Sequence, residues 1–133
     1  MLNIEDCLRE VSQPFLEFYL ANQKQFGTDR MTGSHPADQK VSGGKKIHTM
    51  QVIKKALEWN QSHSRKEIIE CCLVHDIKGC ESLPLTDAQR LAIAVTKGQA
   101  EYRHWRPSPH SRFVVLILIA DMWSAFINEK GEN

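Results

Sequence analysis

The chain has 133 residues, 41% of them hydrophobic, with 17 basic side chains against 16 acidic ones. That is chain enough for a single core but not for two, and the balanced charge leaves no overall field to draw in nucleic acid or a membrane surface. The longest apolar run, Phe113 to Ala120, falls far short of the ~20 residues that span a bilayer.

A single domain over residues 1–133 is expected, with a core of about 34–128 and an N-terminal helical segment over 3–25. In that segment Leu8, Val11, Phe15, Phe18 and Tyr19 recur at helical spacing, and Glu5 and Asp6 suit a helix N-terminus. Pro14 predicts a kink or a division into two short helices. Gly27 to Lys46 has glycines, a proline and polar residues without a period, which predicts a long loop of a kind that is often functional or disordered. Ile47 to Asn60 is the next predicted helix. His48 opens it and heads the stripe Val52, Ala56 and Trp59, so its imidazole points inward.

Ser64 and Glu67 have the spacing of a capping box, and the helix they start is the centre of the chain. Ile68, Ile69, Cys71, Cys72, Leu73 and Val74 are apolar around its whole circumference, as in a helix buried on all sides. It runs into His75 and Asp76. An imidazole and a carboxylate at the inner end of a buried helix are costly unless compensated, and a bound cation compensates them efficiently. Thr86 and Gln89 repeat the capping-box spacing ahead of a short helix with Ala88, Leu91, Ala92 and Val95 on one face and Gly98 as its stop.

Gln99 to Arg112 is a basic loop, in which Tyr102 and Trp105 suit either base stacking or packing. Ser108 and Pro109 fit the N-cap and first position of a final helix reaching about Asn128. A strand over Phe113 to Ile119 is a rival reading, but the apolar pattern continues through Met122, Trp123, Ala125 and Phe126 and is too long for one. Asp121 lies in the middle of that helix, where a carboxylate calls for a salt bridge, a cap contact or a metal. Cys7, Cys71, Cys72 and Cys80 form no CxxC pair and read as reduced thiols in or near the core. Cys71 and His75, one helical turn apart, leave a zinc site open. With no signal-peptide pattern at the N-terminus, a cytoplasmic protein is expected.

Three helices thus offer His48, His75, Asp76 and Asp121. Two imidazoles and two carboxylates suit one divalent ion: manganese, iron, cobalt, nickel, zinc or magnesium. Adjacent helical residues diverge by about 100°, so His75 and Asp76 can share an ion only beyond the helix end. Four ligands leave positions for a water and a phosphoryl oxygen.

These residues, in this order, resemble the HD-domain superfamily of metal-dependent phosphohydrolases. The likeness includes Gly43 and Gly44 ahead of His48, Thr49 after it, the apolar helix leading into His75-Asp76-Ile77, and Ile119 to Ala125 around the last ligand. It implies an all-α bundle of five or more helices around a metal site, and hydrolysis of phosphoesters, usually of nucleotides or nucleic acids. Many members have Ile-Gly-Lys after the doublet, with the lysine on phosphate; here Lys78 precedes Gly79. Where members with two metals often carry His-His-Gly, this chain has Thr96-Lys97-Gly98, and a mononuclear site is expected.

The leading expectation is a nucleotide phosphohydrolase in which Asp76 helps to orient the nucleophile and Lys78 neutralises charge. Lys45, Lys46, Lys97, Arg103 and Arg106 are candidates for holding substrate phosphate. Alternatives are a single-strand nuclease on the lysine-rich face, or a catalytically degenerate binding or inhibitor protein on the same scaffold. A nucleotide or short nucleic acid is the expected partner, no membrane is, and a homo-oligomer is left open.

Overall fold

Side-chain caps, at Asn3, Ser64 and Thr86, set three of the helix starts in this computed structural model, which describes residues 2–28, 43–98 and 108–127. α1 (Ile4–Glu10) begins at a capping box: Asn3 accepts from the Asp6 amide, and Asp6 accepts from the Asn3 amide. The chain breaks at Val11 and Ser12, and α2 (Gln13–Ala21) takes Pro14 in its first turn, where a missing amide hydrogen costs nothing. α3 (Gln23–Thr28) comes directly after it.

The segment 27–46 is therefore not all loop: α3 enters it from one side and α4 from the other, with residues 29–42 outside those described. α4 (Gly44–Trp59) starts three residues before the predicted Ile47, on Gly43 at φ +85°. A glycine in that left-handed conformation lets the chain turn into a helix that no apolar period announces.

Ser64 caps α5 (Arg65–Val74), accepting from the Glu67 amide at 3.3 Å. All residues from Ile68 to Val74 are buried. Ile68, Ile69 and Leu73 have no exposed surface, and each stabilises the fold by about 1.5–3 kcal/mol through burial. Glu70 is the exception among them in polarity. It accepts from the Ser12 amide at 2.8 Å at the start of α2 and meets Gln89 Nε2 at 3.5 Å, so it joins three helices.

A short 3₁₀ turn (Cys80–Ser82) leads to α6 (Asp87–Thr96), whose capping box is complete between Thr86 and Gln89. Gly98, at φ +72°, ends it. α7 (Ser111–Met122) starts later than Ser108 and Pro109 suggest. Ser108 Oγ accepts from the His110 amide, and Ser111 Oγ accepts from the Ser108 amide, so these residues form a turn ahead of the helix. Trp123–Ile127 continue α7 as a wider π turn.

The protein is all-α, with no strand among the described residues. α7 packs along α6 and against α4, and α4 packs in turn on α5. α1 and α2 cover another side of α5. All four cysteines are free and buried. No described helix is long and apolar enough to cross a membrane.

Candidate metal centre

α5 ends one residue before His75, which is its C-cap, so Asp76 already lies beyond the helix. This is the geometry that allows neighbouring residues to face one point. Lys45, in the first turn of α4, holds the exit in place by donating from Nζ to the Asp76 carbonyl at 3.0 Å. A cation is well placed there, because the last carbonyls of a helix lack intrahelical partners.

Four side chains converge. His48 Nε2 lies 2.9 Å from Asp121 Oδ1 and 3.2 Å from Asp76 Oδ2. His75 Nε2 lies 3.1 Å from each of the same two oxygens. The donors form a closed ring of alternating nitrogen and oxygen, all within 4.8 Å of one another. The two imidazoles are buried, whereas the Asp76 and Asp121 side chains keep 25% and 19% of their surface, so solvent reaches the cluster from the carboxylate side.

The outer nitrogens fix the tautomers. His75 Nδ1 lies 2.6 Å from the Cys72 carbonyl, which can only accept, so Nδ1 carries the hydrogen. Ser124 Oγ donates to Gln51 Oε1 at 2.8 Å, leaving its lone pairs for His48 Nδ1 at 3.0 Å. His48 Nδ1 therefore donates as well. In their neutral forms both rings then aim an Nε2 lone pair at a carboxylate oxygen.

Lone pairs that face each other at about 3 Å repel unless a positive charge lies between them. Two protons or one divalent cation would supply it. Protons leave a flaw: among the described residues, the buried Asp76 Oδ2 accepts no hydrogen bond of good geometry. A cation fits the distances, since ligands held about 2.1 Å from an ion at right angles lie about 3 Å apart, close to all four edges. The cluster can hold a metal ion.

Electrostatics match the same layout. Burial pushes His75 down, but the Asp76 and Asp121 carboxylates prevail and hold it well above the usual imidazole range. Burial likewise opposes charge on His48, and the hydrogen bond to Asp121 together with the neighbouring Asp76 carboxylate raises it on balance. For Asp76, burial is outweighed by the charge of His75 and by contacts with both rings, which hold it well below its ordinary value. Asp121 is brought down to about 2, with the two imidazoles again outweighing burial.

The other candidates are spread out. Lys46 is half-buried in the first turn of α4, and Lys78 is exposed just after Ile77. Lys97 turns to Glu81 at 3.4 Å and Cys80 at 3.5 Å. Lys55 pairs with Glu58 and lies 4.1 Å from the centre of the Trp123 ring, so it is committed to structure. Arg103 and Arg106 lie outside the described residues. Cys71 faces the Gln89 carbonyl at 3.9 Å and takes no part in the cluster.

Sequence reasoning missed Ser124 and Gln51. The signal was present, because each stands three positions beyond a ligand, Asp121 or His48, and so shares its helical face. Comparison of the chain with known protein families, curated proteins and solved structures returns no match.

Proposed function

We propose that the chain is a metal-dependent phosphohydrolase of the HD-domain type, acting on a nucleotide or related phosphoester at the His48–His75–Asp76–Asp121 cluster. One observation carries this reading: two imidazoles with outward Nδ1 atoms already engaged present both Nε2 atoms to two carboxylates, at spacings suited to one divalent ion. Manganese, iron, cobalt, nickel, zinc and magnesium are the candidates for this donor set. A divalent ion bound there would lower the pKa of water and polarise a phosphoryl oxygen.

The chain's residues divide the remaining work. His48 and His75, fully enclosed, fix the position of the site. Asp76, the most exposed of the four, orients an attacking water from the open side. Lys45 holds the Asp76 main chain, which favours a positioning role for it over direct contact with phosphate. Lys78, exposed beside the doublet, is left to meet the charge that develops on the phosphoryl group. Four buried free thiols suit a reducing compartment, and a cytoplasmic setting is part of this reading.

The test is elemental analysis of protein purified without chelator, followed by a screen of nucleotides and short oligonucleotides with several divalent ions. Asp76→Ala is expected to lose both bound metal and hydrolysis. Unchanged turnover in that variant, or a wild-type protein that takes up no ion from any of those metals, would overturn the assignment.

A further inference from the structure

A second feature lies on the opposite side of α7 from the cluster. Ile119 is rotated about 200° from Asp121, since successive helical residues turn by about 100°. Between this face and the end of α4 runs a groove of about 560 Å³, within the range of small-molecule sites. Trp59, Val115, Leu116 and Ile119 form apolar walls, while His63 and Arg112 lie toward the start of α7. Trp59 and Ile119 keep 38% and 47% of their surface, although much of α7 is well packed.

Charge selects the occupant. Among the described residues the groove is lined by no carboxylate, and the Arg112 guanidinium forms no ion pair with any of them. His63 packs edge-on against Phe113, which holds its ring at the same end. From Arg112 to Ile119 the helix rises about 10 Å, so a cationic end and an apolar trough are set apart by the length of a medium acyl chain.

We propose that this groove binds a free linear monocarboxylate, with its head on Arg112 and its chain between Trp59 and Ile119. The site is independent of the metal centre, and its occupancy does not require that the chain be a hydrolase. The apolar walls take hydrocarbon surface of the chain out of water, and the guanidinium supplies a bidentate partner for the carboxylate.

The experiment is calorimetric titration of the full chain with octanoate, octanol and acetate, each below its self-association limit. Octanoate is expected to saturate a single site, octanol to bind roughly tenfold or more weakly for want of the charged contact, and acetate not to bind. Arg112→Glu should weaken octanoate by at least about tenfold while leaving octanol unchanged. Ile119→Glu, an exposed substitution, should abolish binding of both with helical content retained. Failure of octanoate to saturate, or binding equal to wild type in both variants, overturns the proposal. So does a dimer in sedimentation that Ile119→Glu dissociates, which would assign the face to a second copy of the chain.

Discussion

Replacing Ser124 by alanine removes a single hydroxyl that stands 3.0 Å from His48 Nδ1 and 2.8 Å from Gln51 Oε1, in a position with no exposed surface. The loss acts first on the imidazole, whose tautomer this hydroxyl selects. Outer-sphere partners of metal-ligating histidines typically contribute 10- to 100-fold to affinity, so a loss of about 1.4–2.7 kcal/mol of binding is expected. Fold stability should fall by about 1–3 kcal/mol, as for the loss of a buried hydrogen bond. Gln51→Leu tests the direction of the chain of bonds. Without the amide oxygen, the Ser124 hydroxyl is released to donate to His48 Nδ1, which favours the tautomer with hydrogen on Nε2. Its metal affinity should therefore fall at least as far as that of Ser124→Ala. Calorimetric titration with zinc and manganese measures both, and ¹⁵N NMR of the histidine rings reads the tautomer directly. Wild-type affinity in both variants, or wild-type rings that carry their hydrogen on Nε2 rather than Nδ1 once pH is high enough to make them neutral, would refute the reasoning.

The same geometry fixes other outcomes. The folded-state values of His48 and His75 are raised, so without metal their ion pairs stabilise the fold fully below the ordinary imidazole range and lose that contribution as pH rises through the raised values. The depressed carboxylates act from the other side, with Asp121 losing its contribution only as pH falls toward about 2. Metal must displace the imidazole protons, so affinity should climb with pH by up to about a hundredfold per unit until both rings are neutral, and melting temperatures with and without EDTA should separate increasingly as pH rises. Glu70→Ala takes the acceptor from the Ser12 amide and should cost about 1–3 kcal/mol in urea unfolding, with metal affinity unchanged. Lys45→Met should lower metal affinity in the absence of any substrate, because its ammonium is bonded to the Asp76 carbonyl; an effect confined to substrate KM would return Lys45 to the role of phosphate ligand.

The parts of the fold legible in the sequence are those governed by local rules. Thr86 with Gln89 and Ser64 with Glu67 mark real helix starts, and the apolar circumference of Ile68 to Val74 corresponds to a helix enclosed on all sides. Pro14 announces a division, though the break falls before it at Val11 and Ser12, since proline is accommodated in the first turn of α2. The start of α4 is hidden because Gly44, Lys45 and Lys46 carry no apolar pattern, and the start of α7 because Ser108 and Ser111 satisfy the backbone in a turn of their own. Convergence of the four ligands can be argued from burial: each polar group sits on a face that has to turn inward. The roles of Ser124, Gln51 and Lys45 depend on how α4 is set against α5 and α7, and no single segment contains that information.

The uneven exposure of the cluster gives it a front and a back. With both rings enclosed and both acids partly exposed, the open approach to the cluster among the described residues is past Asp76 and Asp121. Those two acids form a threshold that an ion meets on its way in and again on its way out. Exchange kinetics should accordingly respond more strongly to shortening or neutralising either acid than to any change behind the histidines.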